Sequence, residues 1–249
     1  MHLLAFDTST ERMSIAVART QGGQNRLWET TGAGGAQASV ALLPTILDLM
    51  AQAGLGFAEL DAICFGCGPG AFTGLRTACS VAQGLGFGAQ GGPGRKEIPV
   101  LPVDTLLVLA EEARHTVNGA AGTRVLSMLD ARMNEIYSAP YRYDGARWER
   151  LQDLRLCGAS ELTLPDGWSD AAPLLAGNVF TAFAAQWGLP AGLQQVEVLP
   201  TASAILRLAP ALLADGLAVA PDHAMPTYIR DKVAHTTSER AAIKAAAAG

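Results

Sequence analysis

The sequence predicts an α/β protein built from two similar lobes, and three observations predict it. An apolar strand, an aspartate, a short turn and an antiparallel return strand follow one another at Asp7 and again at Asp130. In both halves, further strand-length apolar runs alternate with helix-length segments. The 249 residues are 49% apolar and 16% charged, enough for a sizeable core in one large domain or two small ones. Identities between the halves are few, so the internal duplication rests on element order and on the two aspartates.

In the first half, Leu3 to Phe6 is a short apolar strand that ends at Asp7-Thr8-Ser9-Thr10. Met13 to Ala18 returns, Gly22-Gly23 turns the chain, and Asn25 to Thr30 is a third strand. Gln37 to Ala53 reads as a helix, with Pro44 inside it as an expected kink and Gly54 just past its end. Leu60 to Cys67 is a strand, Thr73 to about Ala89 a helix, Gly91 to Gly94 a loop, and Pro99 to Val103 a strand into the second lobe.

In the second half, Asp104 to Arg114 is helical, and Arg124 to Leu129 with Glu135 to Tyr143 forms the second hairpin around Asp130. A strand at Trp148 to Leu154 matches Asn25 to Thr30. Pro173 to Ala176 is a strand, Val179 to Gly188 a helix, Gln195 to Leu199 a strand, and Thr201 to Ala214 a helix that starts at Thr201 or Pro200. Tyr228 to Val233 is a short ordered ending. The expected division is 1–103, 104–234 and an Ala-rich tail over 235–249.

The formal net charge of -5 argues against attraction of the whole molecule to nucleic acid, and no run of Lys and Arg makes a basic patch. Neither a transmembrane helix nor a secretory signal is read, since Asp7 ends the first apolar run. Cys64, Cys67, Cys79 and Cys157 are too few for a disulfide framework in a chain of this length, and a reducing cytoplasm is the expected setting.

The motif Gly68-Pro69-Gly70-Ala71-Phe72-Thr73-Gly74-Leu75-Arg76 joins a strand to a helix. Such a turn can aim backbone N–H groups at an anion. Alternatively it is a tight turn with Thr73 as N-cap, the simpler reading. A Walker loop would need Lys and Ser or Thr after its last glycine, where Leu75 and Arg76 stand.

Between Glu29 and Arg95 the only charged residues are Asp48, Glu59, Asp61 and Arg76, so both first-lobe helices lack a charged outer face. One helix carries Leu42, Leu43, Ile46, Leu47, Leu49 and Met50. The other carries a small-residue stripe, Ala78, Ala82 and Gly86, beside Leu75, Cys79, Val81 and Leu85. The helices either cover each other within one chain or form a protein-protein surface, and the shared lack of charge favours the surface. An arginine at Ala82 is expected to block a partner helix.

Asp7-Thr8-Ser9-Thr10 is either a phosphate- or metal-holding turn or a hydrogen-bonded structural one. Cys64 and Cys67 lie three apart on a strand, so their side chains point to opposite faces and cannot share a metal. His2, His115, His223 and His235 are not spaced to share a metal on one helix face, and no Gly-x-Ser-x-Gly elbow occurs.

From Leu4 to about Ala234 the chain resembles the bacterial TsaB (YeaZ) family. The resemblance rests on Asp7 to Thr10, Leu42-Leu43-Pro44, Gly68 to Arg76, Asp130-Ala131-Arg132-Met133-Asn134-Glu135-Ile136-Tyr137 and Pro226-Thr227-Tyr228-Ile229-Arg230. It implies an actin-like ATPase (ASKHA) fold with two ribonuclease H-like lobes. It also implies a non-catalytic scaffold for making threonylcarbamoyladenosine at tRNA position 37. In that pathway TsaC makes threonylcarbamoyl-adenylate, TsaD transfers the group to tRNA, and TsaE binds the TsaB–TsaD pair.

The resemblance assigns partner binding to the two charge-poor helices, here Leu42, Leu43, Ile46, Leu47, Met50, Leu75, Ala78, Cys79, Ala82, Leu85 and Gly86. The partner is TsaD, or a second copy of the chain when TsaD is absent. Asp7, Thr8, Ser9 and Thr10 are then a vestigial nucleotide turn, with no cofactor or metal expected and tRNA met only through the complex. The His-x-x-x-His pair of TsaD-like proteins is missing, and Gln37 stands where the family often has His. Ser9 replaces the glycine usual in actin-like ATPases and sugar kinases. The competing reading is an ATP-using transferase or peptidase of the same superfamily.

Overall fold

The computed structural model describes residues 1–88, 97–168, 172–183 and 185–230 and contains two mixed sheets. The first has β1 (His2–Asp7), β2 (Arg12–Gln21), β3 (Gln24–Ala33), β4 (Ala62–Gly68) and β5 (Val100–Asp104) in the order β3-β2-β1-β4-β5. β1 pairs antiparallel with β2, Asp7 opposite Ser14, and parallel with β4, Leu3 opposite Ala62.

The second sheet has β6 (Arg124–Arg132), β7 (Glu135–Tyr143), β8 (Trp148–Arg150), β9 (Arg155–Gly158), β10 (Leu174–Gly177) and β11 (Gln195–Glu197). Its order is β11-β10-β6-β7-β8, with β9 also on β7. β6 is antiparallel to β7 and parallel to β10, and β10 is parallel to β11. Strand for strand this repeats the first sheet, so the duplication read from two aspartates is a duplication of topology. Two such ribonuclease H-like sheets make the actin-like architecture.

Among the described residues five helices complete the layers: α1 (Ala36–Ala53), α2 (Phe72–Gly88), α3 (Thr105–Thr116), α4 (Phe180–Phe183) and α5 (Ala202–Ala214). α1 and α2 cover one face of the first sheet over Leu4, Phe6, Ile15, Ile63 and Phe65. α5 covers the other face over Leu3, Ala5, Ala16, Ala62 and Cys64. α3 lies on the second sheet through Leu106, Leu109 and Ala113 and also touches α5. α4 and the segment near Trp168 close the far side. α3 follows the first sheet and packs on the second, whereas α5 follows the second and packs on the first.

Charged groups tie the central layer. Arg207 donates to Glu111 at 2.9 Å and to Glu112 at 2.6 Å, and Trp148 Nε1 donates to Glu111 at 3.1 Å. Glu111 is buried yet keeps a lowered carboxyl pKa, because its hydrogen bonds to Arg114, Trp148 and Arg207 outweigh desolvation.

Several local expectations hold. Gly54 ends α1 in the left-handed conformation at φ 63°. Thr201 caps α5, its Oγ1 accepting from Ala204 N–H. Cys64 and Cys67 are buried on opposite faces of β4.

Others need correction. α2 begins at Phe72, so Thr73 lies inside the helix and is not its N-cap. Among the described residues, only Phe180–Phe183 of the expected Val179 to Gly188 helix is helical, and residues 185 and 186 form a turn. Leu189 and Trp187 pack with Phe180 through an irregular path instead. The strand expected at Trp148 to Leu154 ends at Arg150, and β9, absent from the sequence reading, pairs with β7. The Gly91 to Gly94 loop and the 235–249 tail lie outside the described residues. Among the described residues no helix is long and apolar enough to cross a membrane.

Candidate functional site

Three motifs distant in sequence converge at one end of the sheets. The turn after β1 runs beneath the glycine loop after β4. Thr8 Oγ1 donates to Gly74 O at 2.7 Å, and Ala71 N–H donates to Ser9 O at 2.7 Å. A Cβ on Gly74 would stand 1.8 Å from Thr8 O, and one on Gly70 2.6 Å from Ser9 O. These glycines are required by close backbone approach. Each motif was legible alone, but their mutual contact was not.

Asp7, Thr8, Ser9 and Thr10 are all buried. Asp7 Oδ1 accepts from Ser9 N–H at 2.8 Å and from Ser9 Oγ at 2.7 Å. Asp7 Oδ2 is buried without a partner among the described residues. Burial raises the Asp7 carboxyl above its ordinary range, and the two Ser9 hydrogen bonds only partly oppose this. Ser9 Oγ is therefore spent on Asp7, the hydrogen-bonded form of this turn.

Between the two hairpin turns lies a cleft of about 210 Å³, lined by Ser9, Thr10 and Gly70 on one side and by Asp130, Arg132 and Asn178 on the other. Asp130 N–H donates to Asn178 Oδ1 at 3.0 Å. Arg132, Met133 and Asn134 have φ values of 62°, 57° and 62°, three consecutive left-handed residues without a glycine. Arg230 steadies this turn by donating to Arg132 O at 3.3 Å and pairing with Glu135. The segment carrying Arg230 also crosses to the first sheet, where Thr227 N–H donates to Cys67 O at 2.7 Å. Pro226 to Arg230 thus straps the two halves together.

The helix face divides differently from the sequence expectation. Leu42, Ile46 and Met50 of α1 and Leu75, Ala78, Cys79, Ala82 and Gly86 of α2 are buried in the chain's own core. The Ala78, Ala82 and Gly86 stripe meets the same chain. A Cβ on Gly86 would lie 2.7 Å from Pro221 Cγ, and Cys79 Sγ contacts Ala224 O at 3.2 Å. An arginine at Ala82 would enter this core.

Leu43 and Leu47 are exposed at 43% and 50%, and Leu85 is half-buried. Sequence reasoning missed Val40 at 78%, Phe87 at 40% and Phe72 at 36% exposed. On α2 the outward residues Thr73, Thr77, Ser80 and Gly84 form a second stripe of small residues. Helical phasing against Leu42 and Ile46 would have found Val40 beside Leu43 and Leu47, because residues about half a turn away must face outward.

The family described as TsaD, tRNA N6-adenosine threonylcarbamoyltransferase, matches residues 35–238. The chain is 34% identical to the tRNA threonylcarbamoyladenosine biosynthesis protein TsaB of Escherichia coli strain K12, over 94% of this chain and 96% of that protein. It is 38% identical to TsaB of Haemophilus influenzae over 54% of this chain and 51% of that protein. The solved structure of YeaZ from Pseudomonas aeruginosa superposes with a TM-score of 0.79 at 31% identity, covering 92% of this chain and 99% of that one.

Proposed function

The chain belongs to the TsaB family, and on that premise we propose that it serves tRNA threonylcarbamoyladenosine biosynthesis as a non-catalytic scaffold. In this reading it pairs with TsaD for threonylcarbamoylation of adenosine 37 in tRNAs reading codons that start with A. TsaE binds the pair, tRNA is met only through the complex, and the work is cytoplasmic. The first half, residues 1–103, supplies the pairing surface.

The observation that carries the proposal is the outer face of α1 and α2. Val40, Leu43, Leu47 and Phe87 are exposed there, and Asp48 and Arg76 are the only charged residues on either helix. Exposed apolar residues in one contiguous, charge-poor region mark a protein-protein surface. Without the partner, the same face pairs two copies of the chain. The enzyme reading is disfavoured by Asp7, whose one partnered oxygen is committed to Ser9 and whose carboxylate is wholly buried.

The test is reconstitution of tRNA threonylcarbamoylation from purified TsaC, TsaD and TsaE with ATP, threonine and bicarbonate, with and without this chain. Activity that requires the chain, and is lost with Leu47→Asp in a folded protein, supports the scaffold. Full activity without the chain overturns it.

A further inference from the structure

The tip of α2 carries a cation prepared for an anion that the chain does not supply. The guanidinium of Arg76 stacks on Phe72 at 3.8 Å from the ring centroid, and its Nε donates to Tyr228 Oη at 3.0 Å. The two rings are 5.1 Å apart. Among the described residues Arg76 forms no ion pair, although the arginines at 114, 142, 147, 150, 207 and 230 all do. Stacking and the Nε hydrogen bond fix the plane of the fork and leave both Nη groups without a partner among the described residues, the arrangement that receives two carboxylate oxygens end-on.

Arg76 sits at the rim of a groove of about 350 Å³, lined also by Phe72, Tyr137, Tyr228 and Arg230 and by no acidic side chain among the described residues. We propose that this groove receives an acidic side chain, Asp or Glu, from the partner protein that covers α1 and α2. The inference rests on the pairing reading above and specifies its chemistry. Phe72, itself exposed, opens α2, the helix whose outer face is part of the proposed pairing surface. An arginine ringed by aromatic residues at the edge of such a face is the type of residue that dominates interface energetics. The net charge of -5 favours a single carboxylate on a protein over a polyanion such as RNA.

The test measures affinity of the full chain for the purified TsaD partner by calorimetry at low and high salt. Arg76→Gln is expected to weaken pairing about 10- to 100-fold at low salt and to flatten the salt dependence, as for removal of one member of an interfacial charge pair. Arg76→Lys keeps charge but not the fork and should fall between. Because Arg76 is exposed, losing its stack on Phe72 and its hydrogen bond to Tyr228 should lower the unfolding temperature only slightly, and calorimetry of the free chain checks that the variants are folded.

If Leu47→Asp abolishes pairing while Arg76→Gln binds like wild type, the groove inference is overturned and the scaffold reading survives. If both bind like wild type, both ideas fall. If Arg76→Glu disrupts only self-association, the acid belongs to a second copy of this chain and the inference is also overturned.

Discussion

A Cβ on Gly66 would lie 1.8 Å from Oδ2 of Asp7, so the carboxylate fills the space a side chain on the neighbouring strand would take. Asp7 is as fully buried as the neighbouring Phe6. Gly66→Ala should therefore destabilise the protein by about 3 kcal/mol. Gly84→Ala, on the open face of α2 with nothing within 4 Å, should stabilise by about 0.5–1 kcal/mol. Chemical denaturation reads both, and a harmless Gly66→Ala would mean that Asp7 lies elsewhere.

The same burial gives Asp7 a pH signature. Its folded-state pKa is raised, so the folded protein holds a proton that the unfolded chain has already lost. Stability is then lost as pH rises from the unfolded value through the folded one, and is flat above it. The Asp7→Asn variant lacks this loss. Over that window the stability difference should shift in favour of the variant with rising pH, by at most about 1.4 kcal/mol per pH unit for one proton. Asp104, also raised by burial, is present in both proteins and cancels. Parallel unfolding curves at all pH values would show that Asp7 does not titrate in this way.

Leu47→Asp and Ala82→Arg should separate surface from core. Leu47 is half exposed, so its variant should fold normally and fail to pair. Ala82 is wholly buried, so its variant should lose about 3 kcal/mol or more before pairing is in question. Thermal unfolding alongside co-purification with the partner distinguishes them. A stable Ala82→Arg protein that cannot pair would return that stripe to the interface.

The left-handed turn at residues 132–134 predicts a stabilising change. Met133 holds φ 57° and is 48% exposed, so Met133→Gly should relieve about 1 kcal/mol of backbone strain. A raised unfolding temperature is the expected reading. A lowered one would show that Met133 contributes more through contact with Arg230 than it costs in the backbone.

Much of the fold was legible because duplicated hairpins, alternating segments and caps such as Gly54 and Thr201 are local signals. β9 and the short α4 were not. Ile136, Cys157, Phe180 and Leu189 meet there in one cluster, a tertiary contact that no local pattern encodes. At the site, charge depletion pointed to α1 and α2, whose outer face carries the proposed pairing surface. The choice of stripe went astray because Ala78, Ala82 and Gly86 look equally suited to an external helix or to the chain's own Pro221 and Ala224. The convergence of the glycine loop, the Asp130 turn and Arg230 joins residues far apart in sequence, which spacing alone cannot reveal.

The crossed helices α3 and α5 bear on how such a chain could have arisen. A lone ancestral half would have carried its closing helix with no second sheet beneath it and an uncovered face of its own. Two copies exchanging those helices would have solved both problems, so gene fusion would have joined a pre-existing dimer. Residues 1–103 expressed alone, with Leu3, Ala5 and Cys64 stripped of α5, are accordingly expected to aggregate, and to become soluble when the remainder is co-expressed as a separate polypeptide. A soluble, folded, monomeric first half would count against that history.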